Sequence, residues 1–210
     1  MTTSIKTLFA VALTLVMFTS SAFASLTNTE NNKVTVLNKV KNINKLIVSG
    51  NVEVILVQAP TESVKVYDSY YSKNALVQQE DGVLRISSFQ KEKLTVAVYV
   101  RNLSSIEASE NATVNTCGKV NFLSLSVSLK DKATADISAS TISLYTSVKD
   151  SASLKLSGTA TEHYAVLGSV AKMSMAQFVA ESTSVNTIGP VYAKAAIKPT
   201  FQLNDEELAK

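Results

Sequence analysis

The feature that most constrains this chain is a repeat of about 19–21 residues that keeps its register through the second half. The segments SIEASENATVNT, SVSLKDKATADIS, YTSVKDSASLKLS and AVLGSVAKMSM centre on Ala112, Ala133, Ala152 and Ala171. Apolar positions recur in step with these alanines. Leu125 matches Leu144, and Leu129 matches Val148 and Leu167. Ala135 matches Leu154 and Met173, while Ile137 matches Leu156 and Met175. One strand–turn–strand unit of this size cannot bury its own apolar face. Laying the next unit on it at about 4.8 Å pairs the backbone groups and prolongs the core. The repeat therefore predicts a solenoid with the four alanines in one column. A shorter fifth copy is expected from Val185 to Ala193, with Gly189 near the alanine position. An antiparallel sandwich with strands at similar intervals is the competing arrangement. A sandwich needs alternation, but it does not need Leu129, Val148 and Leu167 to recur together.

Alternation itself runs from Lys33 almost to the end. Leu46, Val48, Val52, Val54 and Leu56 show period two, as do Leu94, Val96, Val98 and Val100. Half-buried strands have that period, and Val, Ile, Thr and Ser suit a pleated surface. Ser49-Gly50-Asn51 and Asp81-Gly82 are turn sequences, and Pro60 ends a strand. A strand is expected over Val64–Tyr67, followed by a loop to Asn74. After Pro199, the stretch Leu203–Lys210 suits a short helical turn. Trp is absent, and beyond residue 24 only Phe89, Phe122, Phe178 and Phe201 remain of the phenylalanines. The predicted core is thus thin.

The first 24 residues read as a secretory signal. Lys6 is the charged start, Leu8–Phe18 the apolar run, and Ala22-Phe23-Ala24 the cleavage site. The run is shorter than the ~20 residues a membrane helix needs. No membrane span is expected elsewhere, and no Cys follows the small residues to accept a lipid. The formal charge is +3, and one of those charges is Lys6. Dispersed, balanced charge of this kind does not suit nucleic acid. Cys117 is the single cysteine, so no disulfide can form within the chain, although an oxidising compartment would allow one. It reads as a small residue of a strand or turn.

The residues Ile43–Gln58 (INKLIVSGNVEVILVQ), Val83–Ile86, Leu94–Val100 and Leu103–Thr116 resemble the putative auto-transporter adhesin, head GIN domain family. The likeness covers about Lys41–Lys198. It implies an all-β, right-handed β-helix-like solenoid similar to pectin lyases, with two faces of short strands, export, a role in adhesion and no catalytic residues. The family's turns favour Gly-Ser-Gly-like triplets. Here Ser109-Glu110-Asn111, Ser138-Ala139-Ser140, Ser157-Gly158-Thr159 and Gly168-Ser169 take those places. The expected organisation is a signal peptide (1–24), a lead or cap (25–40), the solenoid domain (41–198) and a polar tail (199–210). Asn32–Val40 and Thr200–Lys210 are the candidate covers for the open ends of the stack.

The residues that could carry chemistry are sparse. His163, the single histidine, falls where Leu144 lies one repeat earlier and reads as a strand-face residue. Lys130-Asp131 and Lys149-Asp150 would stack as rows of like charge on exposed turns. A glycosidase or lyase would want paired acids, or acids with Arg and a metal. Asp136 is near in sequence but points elsewhere in the repeat, and these carboxylates do not cluster with Arg85 or Arg101. No phosphate loop, dinucleotide fingerprint, nucleophile motif or metal-spaced Cys/His set is present. No catalytic, cofactor or metal residues are therefore assigned. The densest aromatic group, Tyr67, Asp68, Tyr70 and Tyr71, is the expected ligand surface, because tyrosines pair flat faces with polar tips. Packing on a neighbouring strand is its plainer use. The function expected is an exported, non-catalytic binding or adhesion-like module of the cell envelope, in the periplasm, at the surface or secreted. Its partner would be a glycan or protein. A carbohydrate-active enzyme on a pectin-lyase-like fold and a structural envelope component are the alternatives.

Overall fold

The computed structural model describes residues 34–67 and 75–189. The chain divides into two units, 1–32 and 33–210, and every described residue belongs to the second. The expected signal peptide and polar tail, with its helical turn, lie outside the described residues, as do Asp68, Tyr70 and Tyr71.

The described residues are all-β, with no helix among them. The strands are β1 (Val34–Leu37), β2 (Lys45–Gly50), β3 (Val52–Gln58), β4 (Ser63–Tyr67), β5 (Ala75–Glu80), β6 (Val83–Ser88) and β7 (Leu94–Val100). There follow β8 (Ser105–Ser109), β9 (Thr113–Thr116), β10 (Val120–Leu129), β11 (Thr134–Val148), β12 (Ser153–Gly168) and β13 (Lys172–Ile188). All thirteen join one sheet.

The later strands pair in parallel, at the offset the repeat predicts. Leu125 lies beside Leu144, and Leu129 beside Val148. Val148 lies beside Leu167 and Ala135 beside Leu154. The alanine column forms as well. Thr134 N–H donates to Ala112 C=O (2.9 Å), Ser153 N–H to Ala133 C=O (3.0 Å) and Lys172 N–H to Ala152 C=O (3.0 Å). Ala112, Ala133 and Ala152 are completely buried, which explains why a larger side chain does not occur there.

Each alanine closes a tight turn. Its N–H donates to the carbonyl three residues back: Ser109, Lys130, Lys149 and Gly168, at 3.1–3.2 Å. Glu110, Asp131 and Asp150 take positive φ (60°, 59° and 53°) as the first inner residue of their turns. Left-handed backbone costs a non-glycine residue about 1–2 kcal/mol, and Asn and Asp are among the residues that tolerate it. The carboxylates also lock successive turns together. Asp131 Oδ2 accepts the Glu110 N–H (3.0 Å), and Asp150 Oδ2 accepts the Asp131 N–H (3.1 Å). The expected rows of like charge form here, but the acidic row is spent on backbone bonding.

Three features depart from the expected register. Lys155 pairs with Ser174 but Ser157 pairs with Gln177, so Met175 and Ala176 together face Leu156. This bulge breaks the simple match of Leu156 with Met175. Beyond it the offset is one residue longer, and Val185 pairs with Ala165. Val185 thus belongs to β13 and opens no fifth copy; the rest of that expected copy, past Gly189, lies outside the described residues.

The third departure is larger. A stack built in chain order would put β2–β3, β6–β7 and β8–β9 one after another. Instead β2 pairs in parallel with both β6 and β8, and β3 with both β7 and β9. The first pair of strands is therefore sandwiched between the second and the third. Antiparallel strands flank this arrangement: β5 on β6, and β4 then β1 on β7. The β5–β6 link is a two-residue hairpin with positive φ at both Asp81 (48°) and Gly82 (77°), the geometry that Asp-Gly favours. The lead segment contributes β1 to this end.

Inward residues form one apolar cluster running from Val40 to Ala160. Leu46, Val54, Leu84, Val98, Ile106 and Leu129 are fully buried, each contributing about 1.5–3 kcal/mol. The cluster thins toward β13, where Met173, Met175 and Phe178 are only partly covered.

Candidate functional site

Because β-strand side chains alternate, parallel register lays outward residues in straight rows across neighbouring strands. One row reads Lys45, Ser105, Ser126, Tyr145, Tyr164, Ser184, from β2 to β13. The next reads Ile47, Glu107, Ser128, Ser147, Val166, Asn186. These rows make a regular face in which serines alternate with larger side chains.

The large side chains have definite partners. The rings of Tyr145 and Tyr164 stack with centroids 5.6 Å apart and planes 14° from parallel. They are 41% and 42% exposed, the most open aromatic pair on this face. Lys45 Nζ meets Glu107 Oε1 at 2.6 Å. Beside that pair is a depression of about 340 Å³ lined by Ile47, Glu107, Ala108, Ser109, Ser128 and Lys130. Lys130 lies beside Lys149 at the end of the face.

Tyr145 and Tyr164 were legible in principle. They are 19 residues apart, the spacing of the alanines, but only the strand register shows that they share an outward row.

Tyr67, the one described member of the expected tyrosine cluster, lies elsewhere. Tyr67 ends β4, pairs with Val34 and Thr95, and is 40% exposed. Its neighbourhood holds Lys65, whose Nζ lies 4.9 Å from the centre of the Tyr99 ring. The other members of the cluster, Asp68, Tyr70 and Tyr71, lie outside the described residues.

His163 continues the inward row Leu125–Leu144–His163, with Thr183 beside it on β13. It is buried, and Nε2 is 3.0 Å from Thr146 Oγ1. Phe178 meets the ring edge-on at 5.2 Å, and Nδ1 has no partner. Burial pushes the imidazole pKa below 6.5, because a charged ring would lose its water. Such a group packs into the apolar interior beside Phe178.

Several other polar groups bond within the fold. Arg101 donates through Nε and Nη2 to Pro60 C=O (3.2 and 3.1 Å). Lys155 pairs with Asp136 at 2.8 Å, and Asn115 donates to Glu53 at 3.3 Å. Among the described residues no three His, Cys, Asp or Glu side chains gather as a metal set. Cys117 is exposed as a free thiol. No helix among the described residues is long and apolar enough to cross a membrane.

A family model described as "Putative auto-transporter adhesin, head GIN domain" matches residues 42–199. A comparison with curated protein sequences gave no match. The fold is similar to that of a putative adhesin from Bacteroides fragilis, with TM-score 0.62, 16% identity and coverage of 74% of this chain and 76% of that one. It is also similar to a putative adhesin from Parabacteroides distasonis, with TM-score 0.57, 15% identity and coverage of 74% and 78%. A third similar structure is a putative lipid binding protein from Parabacteroides distasonis, with TM-score 0.59, 9% identity and coverage of 75% and 79%.

Proposed function

The chain belongs to the family described as "Putative auto-transporter adhesin, head GIN domain", and from that premise we propose that it is an exported, non-catalytic binding module of adhesive type. It works in the bacterial envelope or at the cell surface. The secretory pattern of residues 1–24, cut after Ala24, supports export. The 19-residue register of β10 to β12 supports a right-handed β-helix-like path for the later repeats. Residues 25–40 then serve as lead and 199–210 as tail.

One observation carries the binding reading: the aligned Tyr145–Tyr164 stack, half-exposed in a row of serines on an unbroken sheet face. Large aromatic side chains left open on a rigid surface are the usual anchors of binding sites. Rigidity lowers the ordering cost on association. Tyr67, at the end of β4, offers a second exposed phenol.

The test is a binding survey of the purified chain against glycans, matrix proteins and envelope proteins, repeated with Tyr145→Ser/Tyr164→Ser. A ligand retained by the parent and lost by the double variant supports the reading. Uniform failure to bind, together with turnover of some substrate, refutes it.

A further inference from the structure

We propose that the slot between Tyr145 and the Lys45–Glu107 pair holds a sugar ring of a neutral glycan; this rests on the reading of the chain as a binding module. In the row Lys45, Ser105, Ser126, Tyr145, Tyr164, one face of the Tyr145 ring lies on Tyr164. The other face looks toward Ser126, whose hydroxymethyl group is too small to cover a phenol. Two serine-bearing strands separate Tyr145 from Lys45, so the slot spans three strand steps, about 14 Å.

The lining matches a pyranose group by group. A sugar ring has an apolar C–H face, which Tyr145 can stack against. Its rim of hydroxyls needs both donors and acceptors. Ser105, Ser126 and Ser128 offer both, Glu107 accepts and Lys130 donates. The depression of about 340 Å³ begins at Glu107 and Ser128 and runs away from Tyr145 toward Lys130, so it extends the polar lining at one end of the slot.

Other occupants fit less well. Added peptide strands need an unpaired edge, whereas β8, β10 and β11 are each paired on both sides. An apolar protein surface would meet a floor of serines. The charges here balance: Lys45 with Glu107, and the Lys130–Lys149 row with the Asp131–Asp150 row. Complementarity therefore selects an uncharged, hydroxyl-rich ligand over an anionic one.

The experiment titrates the full chain with neutral glucose, xylose and mannose hexamers, and with a galacturonate hexamer as the charged comparator. Calorimetry and saturation-transfer NMR are the readouts. The expected result is binding of a neutral hexamer, insensitive to salt, with tyrosine ring-current shifts on sugar C–H protons in the unmodified protein. Tyr145→Ala weakens it about tenfold, and Ser126→Phe, which fills the slot, removes it. Thr134→Ala, on β11's other segment, leaves it unchanged. Equal binding by Ser126→Phe overturns the slot. Salt-sensitive binding of galacturonate alone overturns the neutral ligand. Failure with every hexamer, while an envelope protein still binds, overturns the sugar and leaves the binding module standing. Failure with every class of ligand overturns both.

Discussion

Residues 34–109 and residues 120–188 use the same side chains and the same parallel pairing, yet they are assembled differently. In the later region each repeat lies beside its predecessor, and a turn of three or four residues joins one long strand to the next. Leu129 finds Val148 only 19 residues on. In the earlier region Leu46 pairs with Leu84 on one side and Ile106 on the other. Those partners are far along the chain and on opposite sides, so neither face of β2 is paired by the strand that follows it in sequence. Closing longer loops costs entropy before any contact repays it. The two regions also end differently. Short antiparallel strands of 4–6 residues flank the early end. The late end is the 17-residue β13, with Val179 and Val185 exposed. The contrast teaches that a periodic sequence can propagate its own register, whereas a non-periodic one depends on distant surfaces fitting.

The sharpest way to break this comparison uses two glycines. A Cβ on Gly158 would sit 2.0 Å from Ala139 O, and one on Gly50 would sit 2.0 Å from Ser88 O. Both have positive φ, 104° and 81°. Gly158→Val and Gly50→Val should each cost about 3–5 kcal/mol. Their reach should differ. Hydrogen exchange should show Gly158→Val loosening β12 and β13 while β2–β9 keep their protection, because stacked repeats contact only neighbours. Gly50→Val should expose the whole early region. Identical protection maps for the two variants would dissolve the distinction.

Next in size is a pair of core truncations. Leu129→Ala, at a fully buried site, should cost about 2–5 kcal/mol in urea unfolding. Met173→Ala, on the thin edge, should cost under about 1.5 kcal/mol because its surroundings are already open. Equal losses would show that β13 is covered as well as β10 is.

The turn column comes third. Asp150→Ala should lose about 1–2 kcal/mol, from the Asp131 N–H bond and the left-handed backbone together. Asp150→Gly should recover most of it in thermal melts, since glycine accepts φ of 53° freely. A glycine variant as unstable as the alanine one would assign the whole effect to the carboxylate.

The subtlest effect is His163. Its folded-state pKa lies below the unfolded 6.5, because burial disfavours the charged ring. The unfolded chain therefore binds the proton first as pH falls. The stability linked to His163 is complete above 6.5 and is lost as pH drops toward the folded value. Melting temperature should fall over that interval, and His163→Leu, which restores the residue type of Leu144, should flatten the slope. A slope unchanged in that variant would assign the acid sensitivity to other groups.

Much of this fold was legible before any coordinates. Alternation placed the strands, Asp81-Gly82 marked its hairpin, and the spacing of Ala112, Ala133, Ala152 and Ala171 placed the column of turns. The bulge at Met175–Ala176 was not legible, because Met173 and Met175 both keep the apolar alternation and either register buries a methionine. The Tyr145–Tyr164 pair carried a signal in its 19-residue spacing. The adjacent Leu144 and His163, matched in the same way, drew attention to the inward row. The Tyr67 cluster stood out by local density, a property that says nothing about which sheet face a side chain shares with others.

By itself, the amino-acid sequence determined what depends on neighbours along the chain: period, turn chemistry, and the residue that each repeat lays over the last. Tertiary structure alone decided what depends on separate segments meeting: the insertion of β2–β3 between later strands, and the serine row that leaves one face of Tyr145 open. The reason is physical. Local rules act through covalent distance and repeat identically, whereas the order of β2, β6 and β8 is chosen by how whole apolar faces fit, and that energy belongs to no single stretch of sequence.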